Sequence, residues 1–220
     1  MKNLIIFGIL FTSSLIALEL KAQTNVGIAM GYTSTHWSMP YSGAYQELGN
    51  WTSTGGWAIS FPFEHFFSKT LALQTEFSWI QKGAEVNNTD YSYGYPIHTN
   101  VSITINYIEI PMLLRASIPF HKTDLQFLAG GYASIGISAK LKATASAGTQ
   151  TASSSQDLDF EENMMNRFDA GLLIGAGIQF SNKFFIQAKY NLGLANVDNS
   201  GEPNSAIYNR GLVLSMGQYF

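Results

Sequence analysis

The chain has 220 residues, a formal net charge of −3, no cysteine, and only 12% Asp, Glu, Lys and Arg. The missing cysteine excludes disulfides, thiolate metal sites, a cysteine nucleophile and a lipidated N-terminus, and the mild charge gives no footprint for nucleic acid. Charged residues run at about half the roughly 25% of soluble domains, while aromatics reach 14% and glycines number 20. That balance suits a β-barrel with close strand contacts and rings at a membrane interface.

The N-terminus opens with Lys2, an apolar run from Leu4 to Leu18, and Leu20-Lys21-Ala22 before Gln23. This is the pattern of a cleaved export signal over residues 1–22, with 23–220 as the mature domain. The apolar run is shorter than the ~20 residues a helical span requires. Eight strands follow in chain order: Asn25–Ser34, Gly55–Phe66, Thr70–Lys82, Ser102–Pro119, Asp124–Lys140, Asn166–Phe180, Lys183–Ala195 and Asn209–Phe220. Their connections alternate between tight and long. Phe67-Ser68-Lys69, Phe120-His121-Lys122-Thr123 and Ser181-Asn182 are tight. Thr35–Thr54, Gly83–Val101, Leu141–Met165 and Asn196–Tyr208 are long, and the run Ala143–Ser155 within the third is low-complexity and expected to be mobile. Short periplasmic turns and long outer loops are the layout of an outer-membrane barrel.

Alternation within the strands says what surrounds them. Successive side chains of a strand point to opposite faces. In Ile108–Ala116 the even positions are apolar, while Glu109 and Arg115 are odd. The other strands segregate alike. One side carries Trp57, Ile59 and Phe61, then Leu73, Phe77 and Trp79, then Leu172, Ile174 and Ile178, then Leu212, Leu214 and Met216. The opposite side carries Glu64, Glu76, Lys82, Glu109, Arg115, Lys140, Arg167, Asp169 and Lys189. A cation on the lipid face costs roughly 2–4 kcal/mol at mid-bilayer, so the apolar side is expected to meet hydrocarbon and the charges to face the lumen. A lipocalin-like soluble barrel needs the reverse arrangement. Thr75, Gln81 and Arg210 depart from the pattern. Before Tyr107 the alternation flips at Ile103 and Ile105, which predicts a bulge or a strand rising above the membrane.

Four stretches resemble the PorT-type family of outer-membrane β-barrels: Glu76–Ala84, Tyr107–Leu114, Phe168–Gly177 and Gln187–Leu194. The family pattern of tyrosine, aliphatic, glutamate, aliphatic, proline, aliphatics and a basic residue is matched at Tyr107, Glu109, Pro111 and Arg115. The resemblance implies an eight-stranded barrel in the outer membrane of a Gram-negative cell and no defined activity, although one branch serves a protein-secretion system. Phe220 at the C-terminus resembles the terminal aromatic read by the barrel-assembly machinery. Gln218 stands where a second aromatic is usual.

Eight strands leave an interior that side chains can fill. Glu76, Glu109, Arg115, Arg167, Asp169 and Lys189 are therefore expected to form a structural ion-pair network filling the lumen, since buried charges need partners. A narrow ion path is the functional alternative. His36 and His98 fall in outer loops near Ser34, Ser38, Asp90 and Ser92, where a lipid-modifying enzyme would place its acid–base group. Asp157, Asp159, Glu161 and Glu162 lack the glycine and terminal glutamate of a calcium loop. Trp37, Tyr41, Tyr45, Trp51, Tyr91, Tyr93 and Tyr95 suit either a protein or glycan site or a cap over the barrel. The sequence thus predicts a non-enzymatic barrel without cofactor or metal. Its partners would be outer-membrane lipid, the assembly machinery, and an unknown protein or glycan outside.

Overall fold

The computed structural model describes residues 24–39, 51–92, 95–201 and 205–220. The segment read as an export signal, Tyr41, Tyr45 and Tyr93 lie outside these. Among the described residues ten strands occur in order: β1 (Thr24–Ser38), β2 (Trp51–Thr52), β3 (Thr54–Phe66), β4 (Leu71–Ser92), β5 (Tyr95–Phe120), β6 (Thr123–Ala147), β7 (Gln150–Leu158), β8 (Phe168–Phe180), β9 (Phe184–Gly193) and β10 (Tyr208–Tyr219). Eight of them close a ring in the order β1-β3-β4-β5-β6-β8-β9-β10, with β10 returning to β1. Every pairing is antiparallel. The short β2 adds to β4 and β7 adds to β6. Closure leaves the eight-stranded wall without a free edge, as a sheet in hydrocarbon must be.

The alternation has the orientation the sequence predicts. Outward residues such as Trp57, Phe61, Ile110, Met112, Ile174 and Leu214 are exposed, whereas inward Leu113, Leu128, Leu173 and Phe185 are buried. Phe63, Phe67, Phe120, Phe180 and Phe220 form an exposed aromatic belt at the tight turns, the level where a membrane interface collects rings. Toward the other end, Gln81 on the outer face accepts from the Trp57 N–H at 3.2 Å. Gln81 donates to Asn106 at 3.1 Å, and Asn106 donates to Ser138 Oγ at 2.8 Å. This polar row across β4, β5 and β6 bounds the apolar band on its outer side.

Two expectations are corrected. The second and third long loops are largely strand. β4 and β5 stay paired out to Ser92 and Tyr95, and the serine-rich run forms the end of β6 and all of β7, joined across Gly148-Thr149. Gly148 supplies the positive φ, +58°, that a two-residue hairpin demands at its first position. A sequence of small and β-branched residues with no side chain to bury reads as a loop, but the neighbouring strand edge templates it.

The second correction is Lys140, expected to face the lumen; the bulge predicted at the flip before Tyr107 is present, in the partner strand. β5 keeps its parity, and Ile105, Tyr107, Glu109 and Leu113 all face inward. The irregularity lies in β6, where Asn106 pairs with Ser138 and Tyr107 with Gly136, leaving Ile137 over. Ile137 and Ser138 both face outward, and the inserted residue reverses the parity above it. Lys140 consequently points out, lying 3.5 Å from Asp157 on β7.

Replacing Met112, outward and mid-strand, by arginine is expected to destabilise the folded barrel by roughly 2–4 kcal/mol. Ala152→Arg on β7 should change stability by less than about 0.5 kcal/mol. Urea unfolding in lipid vesicles, followed by the heat-modifiable gel shift, measures both.

Candidate functional site

The inward faces meet in stacked polar layers. Nearest the tight turns, Arg115 Nη1 lies 2.9 Å from Glu64 Oε1 and donates to Gln179 at 3.0 Å, and its guanidinium sits 4.8 Å over the Phe66 ring. Asn25 donates to Glu64 at 3.3 Å. Above this, Gln126 donates to Gln179 at 2.7 Å, and Gln187 donates to Gln126 at 2.9 Å. Gln74 donates to Glu76 at 2.8 Å. Lys189 Nζ lies 2.5 Å from Glu76 Oε1.

The uppermost layer is built on Lys82. Its ammonium lies 2.6 Å from Glu109 and 2.9 Å from Asp169, and 4.0 Å from the centre of the Tyr132 ring. Asp169 also accepts from Tyr132 OH at 3.3 Å and from Asn209 at 3.1 Å. Small residues on β8 make room for these side chains. A Cβ at Gly175 would come within 3.0 Å of Lys189, and one at Gly177 within 2.7 Å of Gln187. A Cβ at Gly171 would likewise lie 2.8 Å from the Tyr132 ring.

Over the charges lies an apolar lid of Trp37, Ile80, Ile105, Phe160, Val197 and Ile207. Phe160 comes from the connection after β7 and rests where Gly136 lacks a side chain, since a Cβ there would be 2.8 Å from its ring. Asp159 shapes that connection. The backbone N–H groups of Glu162 and Glu161 donate to its carboxylate at 3.2 and 2.8 Å, holding the carboxyl below its ordinary range. Trp51 stacks on Trp37 at 5.1 Å, whereas Tyr91 stands exposed. The loop aromatics therefore divide between a cap and an open surface.

Of the six network residues named from sequence, five meet in the lumen: Glu76, Glu109, Arg115, Asp169 and Lys189. Arg167 does not. It is exposed just before β8, with its guanidinium 4.4 Å over the Phe160 ring. Strand β8 begins only at Phe168, so inward parity does not govern a residue ahead of it. Lys82 and Glu64 belong to the network in its place. Their inward parity was visible, but only distances across the barrel show that Lys82 joins Glu109 to Asp169.

His36 and His98 are not brought together. His36 pairs opposite Arg210 on β10, and His98 stands on the far extension of β5, its ring 2.9 Å from Thr89 Oγ1. Among the described residues no group of three His, Cys, Asp or Glu side chains is placed to hold a metal ion. Phe220 is exposed beyond β10, its N–H donating to Val26 at 2.9 Å. Gln218, in place of a second aromatic, donates to the Asn182 carbonyl at 2.6 Å and ties β10 to the β8–β9 turn.

A closed antiparallel ring, greasy outside and ionic within, defines an integral β-barrel of the outer membrane. Residues 19–199 match the family model described as outer membrane protein beta-barrel domain, and the chain belongs to that family. No curated protein matches the sequence. Among solved structures it is similar to Ail, the attachment invasion locus protein of Yersinia pestis, at 17% identity over 90% of this chain and 99% of that one, with a TM-score of 0.38. It is also similar to Neisserial surface protein A, at 10% identity over 90% and 99%, with a TM-score of 0.39. The protein resides in the outer membrane of a Gram-negative cell.

Removing one partner of a buried ion pair leaves the other charge uncompensated. Arg115→Ala is therefore expected to cost about 3–5 kcal/mol, whereas Arg167→Ala should cost no more than about 1 kcal/mol, the worth of an exposed cation–π contact. Converting Glu64 and Arg115 together to Gln and Met should recover most of the loss. Urea midpoints of the three variants in vesicles decide the matter.

Proposed function

We propose that this is a non-enzymatic outer-membrane barrel whose lumen is closed by its own ion pairs, and whose role is structural or one of surface binding. The observation that carries this reading is the sheet standing beyond the apolar band. A membrane strand needs about ten residues, but β5 has 26 and β6 has 25. The excess builds a four-stranded blade from the ends of β4, β5 and β6 together with β7. β7 is exposed along almost its whole length, and among the described residues its partner strand is β6. Among the described residues nothing pairs with its other edge, which lacks the Lys or Pro that commonly protect an edge.

The interior supports the same reading from the other side. Glu64–Arg115, Glu76–Lys189 and the Lys82 group lie one above another under the apolar lid. A water-filled channel takes about sixteen strands. The separate placement of His36 and His98 supports a non-enzymatic role. The Tyr107–Arg115 block, which resembles PorT-type barrels, lies on the strand that carries both the lumen charges and the blade. In this reading Phe220 serves the assembly machinery, lipid surrounds the wall, and a protein or glycan is the partner outside.

The purified barrel is expected to give no steady conductance in planar bilayers. Shortening the hairpin over residues 141–158 should abolish capture of surface partners from solubilised envelopes while leaving the heat-modifiable shift intact. A double variant His36→Ala, His98→Ala should leave the outer-membrane lipid profile unchanged; an altered acyl-chain pattern overturns the non-enzymatic reading.

A further inference from the structure

Inside the barrel, among the described residues, four carboxylates face three cations. Glu64, Glu76, Glu109 and Asp169 are buried against Lys82, Arg115 and Lys189. Arg115 serves Glu64 and Lys189 serves Glu76, one carboxylate to each cation. Lys82 alone serves two, Glu109 and Asp169, so one negative charge is left over in the uppermost layer. The two acceptors are unequally provided for. Asp169 takes additional hydrogen bonds from Tyr132 and Asn209, whereas the polar contact made by Glu109 is the one to Lys82.

Glu109 lines a cavity of about 20 Å³ between this layer and the Glu76–Lys189 pair. That is room for one water-sized species. Its other polar walls are Ser60, Ser78, Asn191 and Ser215. Asn191 and Ser215 are 2% and 6% exposed, and among the described residues Asn191 Oδ1 and Ser215 Oγ have no hydrogen-bond partner. Lys189 also borders the space, but its charge is matched by Glu76 at 2.5 Å.

Three occupants suit the volume. A water molecule would satisfy the orphan oxygens and leave the surplus charge in place. A proton on Glu109 would cancel the charge and leave the oxygens orphaned. A small cation does both. We propose that this cavity is a binding site for one monovalent alkali cation, of sodium or potassium size, held by Glu109, Asn191 Oδ1 and the seryl hydroxyls. The lining offers hard oxygen donors and neither imidazole nor thiolate, which suits an alkali ion and not a transition metal. A single surplus charge matches a monovalent ion. At external salt of about 0.15 M, even a millimolar site would be filled.

The test uses the full mature chain folded in detergent, with urea unfolding in sodium or potassium chloride compared with choline chloride at equal ionic strength. A one-site cation should lower the unfolding equilibrium constant about tenfold at ten times its Kd. Choline, too large for the cavity, should have no effect. Glu109→Gln removes the surplus charge and should abolish the sodium dependence. Ser215→Ala, a milder change, should shift the dependence to several-fold higher sodium. Crystals soaked in thallium(I) should show an anomalous peak between Glu109 and Asn191. Equal stability in sodium and choline overturns the proposal. So does a sodium effect undiminished in both variants, which would locate the ion elsewhere. So does alkali-insensitive stability that falls as pH is raised through neutrality, which would assign the surplus charge to a proton.

Discussion

Hydrocarbon offers no hydrogen bonds, and the membrane-spanning part of this molecule answers to that fact. Backbone N–H and C=O groups inside the bilayer must find partners within the protein, and β1 closes on β10 so that the wall has no edge. The same medium penalises charge, so the ionised side chains of the spanning strands turn inward. Once inside they are too crowded for bulk water and must pair with each other. Closure, polarity and the ion-pair network are successive consequences of one solvent.

The lumen is consequently an inverted core. In a soluble domain the polar groups lie outside and the packing is apolar. Here Lys82, Gln74, Gln126 and Gln187 are among the most deeply buried side chains, each tied across the barrel to another strand. Glycines on β8 take the place of large residues where Lys189 and Gln187 cross. Apolar packing reappears at the outer mouth, where Ile105, Trp37, Phe160 and Ile207 form a lid above the charges. The charges at this end are thus held between ionic partners below and an apolar cover above.

Beyond the bilayer the rules relax. Water can satisfy an exposed edge, and β7 has one. The single inserted residue at Ile137 marks the change of regime. Below it β6 alternates strictly between lipid and lumen, and above it the parity reverses and Lys140 meets Asp157 in solvent. The blade therefore grows from the same strands as the barrel but buries almost nothing, which leaves its surface available for recognition.

Much of this was legible in the residues themselves. The period-two segregation of charge and grease specified strand number, facing and solvent, because a side chain's face is a local property of an extended backbone. For the same reason Glu76, Glu109, Arg115, Asp169 and Lys189 are recognisable as lumen residues from the sequence alone. What lay beyond the sequence was non-local. Arg167 obeys the parity rule on paper but precedes the strand that would enforce it, and the serine-rich run becomes a strand only because β5 and β6 already stand beside it. Which carboxylate faces which cation, that Lys82 must serve two of them, and that a water-sized cavity opens beside Glu109 depend on the register and closure of eight strands. Parity assigns a side chain to one face of its own strand, while only the closed ring sets the distances across it.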